Sequence, residues 1–90
     1  MSDLVVTVTE DDIRLGDQGD PESCAIALAA SRALNSHVSV GYTWVFDMDR
    51  DITYDMTPEM RWFVTKFDEG EEVFPRTFEV NKAILPALES

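Results

Sequence analysis

Hydrophobic and polar residues alternate with a period of two through residues 38–56, VSVGYTWVFDMDRDITYDM. Val38, Val40, Tyr42, Trp44 and Phe46, then Ile52, Tyr54 and Met56, fall on even positions. Ser39, Gly41, Thr43, Val45 and Asp47, then Asp51, Thr53 and Asp55, fall on odd ones. Side chains of a strand point alternately to its two faces, so the pattern predicts two strands with an apolar underside and an acidic outer side. Met48-Asp49-Arg50-Asp51 is short and charged, and reads as the turn between them. The expected geometry puts Trp44, Phe46 and Tyr54 under helices and turns Asp47, Asp51 and Asp55 outward.

The flanking segments supply those helices and two more strands. Residues 4–9, LVVTVT, are β-branched and short; Leu4, Val6 and Val8 would share one face. Thr9 followed by Glu10, Asp11 and Asp12 has the form of a helix cap with acids at the positive end of the dipole, enough for one turn. After a glycine-containing connector, Asp20-Pro21-Glu22 reads as a helix start, and the alanine-rich run from Cys24 onward continues to Asn35-Ser36. Thr57-Pro58-Glu59 repeats that grammar, and Met60, Phe63, Val64 and Phe67 form an amphipathic stripe that Gly70 would end. Residues 73–80, VFPRTFEV, predict a last strand, with Phe74, Phe78 and Val80 facing one way and Pro75 favouring an edge or a late start. In the tail, Ile84, Leu85 and Leu88 fit a short helical turn limited by Pro86, so residues 81–90 are expected to pack loosely on a single domain spanning 1–90.

The order β-α-β-β-α-β predicts an α+β two-layer sandwich, of the ferredoxin-like split βαβ arrangement or a close relative. Its open face would carry Ser39, Thr43, Val45, Thr53 and Thr77 beside the carboxylates of Asp47, Asp51, Asp55 and Glu79.

Charge narrows the function classes. Eighteen acidic residues oppose seven basic ones, for a net charge of -11, so the chain repels nucleic acids and anionic membranes. No apolar run is long enough to span a bilayer, and the N-terminus lacks the basic and apolar regions of a signal peptide, so a cytoplasmic protein is expected. A single cysteine, Cys24, leaves no partner for an internal disulfide and rules out a four-cysteine zinc site.

Catalytic constellations are sparse. Cys24 with His37 is one nucleophile–base pair of the cysteine type, but Asp17, Asp20 and Glu22 nearby oppose a thiolate, and a cysteine in an alanine-rich helix serves as a small apolar residue. Asp47, Asp49 and Asp51 have the spacing of a calcium loop, yet Ile52 replaces its glycine and Pro58 its closing glutamate. His37 has no companion at metal-ligand spacing. The expectation is a non-enzymatic protein without cofactor or metal. With its aromatics pointing inward, the sheet would not stack bases as RNA-binding sheets do.

The segment DDIRLGDQGDPESCAIALAASRAL, with Ile13, Gly16, Gly19, Asp20 and Cys24 ahead of a small apolar helix, resembles small acidic proteins of actinobacterial phages and prophages. The later pieces Val38-Ser39-Val40, Phe67-Asp68-Glu69-Gly70 and Val73-Phe74-Pro75-Arg76-Thr77-Phe78 extend the resemblance over most of the chain. A second cysteine, common just before the first in such proteins, is missing here; Pro21 and Glu22 occupy that neighbourhood. The resemblance implies a phage setting, and with it the expectation of an inhibitor that binds host machinery, as anti-CRISPR proteins and DNA mimics do.

Alternate strand residues are spaced on the scale of a nucleic-acid backbone, which suits carboxylates to a basic channel. The expected partner is therefore a host protein with a basic, nucleic-acid-binding surface, met by Asp47, Asp49, Asp51 and Asp55, with Glu10, Asp11, Asp12, Glu71 and Glu72 in support. The chain would act as a monomer or homodimer. Two alternatives differ in class: a small enzyme using Cys24, and a plain homodimeric interaction module with Trp62 and the open sheet face as its contact.

Overall fold

The β-branched run near the N-terminus folds as its alternation requires. In a computed structural model that describes residues 2–83, β1 (Leu4–Val8) buries Leu4, Val6 and Val8 and leaves Val5 and Thr7 outside. Thr9 caps α1 (Glu10–Leu15) through a reciprocal box. Its hydroxyl accepts from the Asp12 N–H at 3.2 Å, and the Asp12 carboxylate accepts from the Thr9 N–H at 2.9 Å. The tail assigned above to a helical turn at residues 84–88 lies outside the described residues.

α2 (Ala25–Leu34) starts later than the Asp20-Pro21 signal predicts. Asp20 closes a turn instead: its carboxylate accepts from the Glu22 N–H and its carbonyl from the Cys24 N–H, leaving Cys24 as the N-cap. Proline's fixed φ serves that turn as well as it would a first helical position. Asn35, left-handed with φ 53°, ends the helix. α3 (Pro58–Asp68) follows its signals closely, with Thr57 as cap, Pro58 in the first turn and Met60, Phe63, Val64 and Phe67 buried.

One antiparallel sheet of five strands runs in the order β1-β5-β4-β3-β2, where β2 is Val38–Val40, β3 Trp44–Asp47, β4 Ile52–Asp55 and β5 Arg76–Lys82. The helices cover one face. α2 lies on β1, β2 and β3, and Phe63 of α3 meets Phe78 of β5 edge-on with centroids 5.5 Å apart. The α+β class is as expected, but the strand order is not that of a split βαβ arrangement: β1 and β2 occupy opposite edges, and β1 pairs only with β5. No helix among the described residues is long and apolar enough to cross a membrane.

The central stretch departs from its predicted register. Residues 38–47 form two strands, because the chain turns at 41–43 and the Gly41 N–H donates to the Trp44 carbonyl at 2.9 Å. The Trp44 indole lies against Gly41 where a Cβ would stand, so only glycine admits it. The register pairs Val38 with Asp47 and Val40 with Val45. Cross-strand partners share a face, so inward positions switch from even to odd. Val45 and Asp47 point into the core, Trp44 is 39% exposed, and Phe46 is half-buried on the outer face. The next turn inverts parity again, which returns Tyr54 to the core and Thr53 and Asp55 to the outside.

Asp47 is thus a buried charge, with 0% of its surface exposed. Its Oδ1 accepts from the Asp49 and Arg50 N–H groups at 3.1 Å each, and its Oδ2 from Arg50 Nη1 at 3.0 Å. Arg50 Nη1 also lies 2.9 Å from the Leu34 carbonyl oxygen and 2.6 Å from the Ser36 hydroxyl. The β3–β4 turn is thereby tied to the end of α2. Asp12 is buried in the same manner: Arg32 grips both its oxygens at 2.9 and 2.7 Å and reaches the Thr7 carbonyl at 2.9 Å, fastening α1 and α2 to β1.

Removing the Asp47 carboxylate should leave Arg50 and the turn amides unpaired. Asp47→Ala is expected to cost roughly 3 kcal/mol in urea unfolding, while Asp51→Asn, at an exposed site whose left-handed φ of 60° asparagine also accommodates, should change stability by less than about 0.5 kcal/mol.

Candidate functional site

The acids singled out in the sequence separate into three places. Asp49 and Asp51 sit at the β3–β4 turn, beside the end of the sheet where β5 finishes. Asp55 is exposed on the outer sheet face opposite Asn81. Glu10, Asp11, Glu71 and Glu72 gather at the other end, where β1 gives way to α1 and β5 begins. Asp47 and Asp12 leave the set. Their carboxylates are buried and bonded to arginine, so neither can meet a partner.

Ionisation follows those surroundings. Arg32 holds the Asp12 carboxyl below its ordinary range, against the opposing push of burial and with help from Thr9. Burial pushes the Asp47 carboxyl up, but hydrogen bonds from the Arg50 side chain and backbone and from Ser36 outweigh it, and the net direction is down. The His37 N–H, donating to Asp49 at 2.9 Å, lowers that carboxyl too, and the His37 ring Nδ1 lies 3.2 Å from the same oxygen.

At the α1 end the carboxylates meet apolar surface. Glu10, Asp11, Ile13 and Arg14 of α1 face Glu72, Val73, Phe74 and Pro75 across a groove of about 380 Å3. Arg14 donates to Asp11 at 2.6 Å and so adds no free positive charge. The sequence pattern turned Phe74 inward with Phe78; here it is 65% exposed and Val73 takes the buried place. Pro75 cannot join the ladder, so β5 starts after it and the two-residue period does not extend back to Phe74. An unstranded residue before an early proline was the signal that could have revealed this.

The outer sheet face carries more aromatic surface than expected. Trp44 and Phe46 stand there between Ser39 on β2 and Thr53 and Asp55 on β4, and Tyr42 in the preceding turn is exposed. The aromatic residues that the sequence pattern placed inward, and on which the exclusion of base stacking partly rested, are thus outside; the net charge of -11 still opposes nucleic acid.

Cys24 and His37 are held apart. One caps the start of α2 and the other follows its end, across a helix about 15 Å long. The Cys24 Sγ accepts from the Ala27 N–H at 3.4 Å, and burial pushes the thiol pKa up, with the Asp68 charge adding to the rise. A neutral, enclosed thiol is a poor nucleophile. Among the described residues, no group of three or more His, Cys, Asp or Glu side chains is placed to hold a metal ion.

Two measurements follow. Native Cys24 should react with a thiol reagent at least about tenfold more slowly than the urea-unfolded chain, because reaction requires both access and a thiolate. Asp12 and Asp47 titrate lower in the folded chain than in the unfolded one, so their stabilisation is complete above about pH 5 and fades as pH falls through their folded values. The stability gap between the wild type and Asp12→Asn, followed by thermal unfolding, should therefore narrow below about pH 4.

No protein-family model matches this chain, and neither a curated protein nor a solved structure matches it.

Proposed function

We propose that this chain is an acidic binding protein that docks on a basic, nucleic-acid-binding surface of another protein and blocks it. The observation that carries the reading is how charge divides between interior and surface. Arg14, Arg32 and Arg50 are each held by a carboxylate of the same chain, and Lys66 lies 3.9 Å from Glu69. Arg61 points to the Met56 carbonyl, Arg76 lies over the Phe78 ring, and Lys82 stands exposed at the end of β5, a small positive charge against the many exposed acids. Exposed carboxylates on α1, the 68–72 turn, the β3–β4 turn and the sheet face are left to set the outer field.

Such a field attracts a cationic surface over roughly a Debye length and can occupy a channel evolved for phosphates. The phage setting and a target among host defence complexes of the CRISPR type are supported by the sequence resemblance. The contact residues of this reading are Glu10, Asp11, Asp49, Asp51, Asp55, Glu71 and Glu72. Asp12 and Asp47 act only by holding the fold.

A second reading has its own observation. Trp44 and Phe46, with Tyr42 in the adjoining turn, expose aromatic surface on a sheet face that no described helix covers, as an interaction module that pairs with itself would. Sedimentation at rising concentration separates the two: dimerisation lost in Trp44→Ala would favour the module, and a monomer throughout would leave the acidic reading.

Affinity capture from host lysate tests the main proposal. A captured protein should elute as salt rises from about 0.05 to 0.5 M, the range over which the Debye length falls severalfold. The combined Asp51→Asn, Asp55→Asn, Glu71→Gln and Glu72→Gln variant should bind it at least about tenfold more weakly with a flatter salt dependence. Binding indifferent to salt and to these substitutions would refute the proposal.

A further inference from the structure

The groove between α1 and residues 72–75 differs from the rest of the acidic surface in having an apolar wall. Its floor is the half-buried Ile13 and the buried Val73, and its side is Phe74 with Pro75. Pro75 has no N–H, so that wall presents no backbone donor from this position and favours an apolar group over a polar one. Glu10, Asp11 and Glu72 stand at the rim, and the one cation among the described residues that line the groove, Arg14, is bonded to Asp11.

We infer that this groove takes an apolar side chain from a lysine- and arginine-rich segment of the partner protein, with the flanking cations reaching Glu10 and Glu72. The inference rests on the acidic-docking reading and adds to it a place and a second kind of contact. Charge selects the occupant. A second copy of this chain would bring its own net charge of -11 against the acidic rim, and a nucleic acid or an anionic lipid would bring phosphates. A basic segment meets no such repulsion, and its cations can stay at the rim while its apolar side chain packs on Phe74. Specificity then arises from the anchor and attraction from the rim, the division of roles found in protein interfaces with a central apolar residue and a polar border.

The probe is a labelled synthetic peptide of lysines and arginines around one central phenylalanine, compared with the same peptide carrying serine in its place. Fluorescence anisotropy against the full chain at low salt should show the phenylalanine peptide binding about tenfold more tightly, the worth of one buried aromatic side chain. Phe74→Ala should abolish that preference while leaving the serine peptide unaffected, and Phe74→Leu should keep most of it. Glu10→Gln with Glu72→Gln should weaken both peptides and flatten their salt dependence, whereas Glu59→Gln on α3 should change neither. Phe74 is exposed, so these variants should retain the circular dichroism of the native fold. Equal binding of the two peptides, or a preference that survives Phe74→Ala, would overturn the groove while leaving the wider acidic docking intact. No binding of either peptide at low salt would overturn both.

Discussion

A carboxylate with no exposed surface, Asp47, is the constraint on which the arrangement of the sheet depends. A charge in that position is tolerable only if it is paired and hydrogen-bonded, and here two turn amides and the Arg50 guanidinium supply the donors. Arg50 in turn reaches the Leu34 carbonyl and the Ser36 hydroxyl at the end of α2. One buried ion pair thus sets the β3–β4 turn, its distance from α2 and which side of β3 faces inward. Trp44 and Phe46 are on the outer face because Asp47 and Val45 are on the inner one.

The same logic sorts the acids of a strongly negative chain into two populations. Asp12 and Asp47 are enclosed, paired and held ionised, and they fasten helices and turns to the sheet. The exposed ones repel one another, a cost to the fold that a cationic partner would relieve. Binding and stability are coupled through that repulsion. A partner that neutralises the outer field should stabilise the fold without touching the buried pairs. Where the outer acids border Phe74 and Pro75, the field acquires a shape.

Local signals in the sequence were legible where one segment decides its own fate. β1 alternates as LVVTV must, Thr9 and Thr57 cap their helices, and the stripe of Met60, Phe63, Val64 and Phe67 is buried as spaced. What failed was parity across turns. A period of two runs on through Gly41 in the sequence, but a turn there pairs Val40 with Val45 and shifts the residues of β3 by one face, until the β3–β4 turn restores the parity. The acidic residue expected outside, Asp47, therefore went inside, and the aromatic residues did the reverse. Phe74 was misplaced for a related reason, since alternation has no meaning before a strand begins. The partner of Asp12 was not legible from spacing, since Arg32 lies twenty residues away and only the folded chain brings them together; Arg50 lies three residues from Asp47, but nothing local shows that this pair is buried.

The central functional claim is that this chain takes the place of a nucleic acid on a basic surface. The most direct measurement is competition: the captured partner is saturated with labelled duplex, and this chain is added at low salt. Displacement of the duplex in step with binding of the chain, with no ternary complex in sedimentation, is the predicted result. A stable complex holding partner, duplex and this chain together would contradict it.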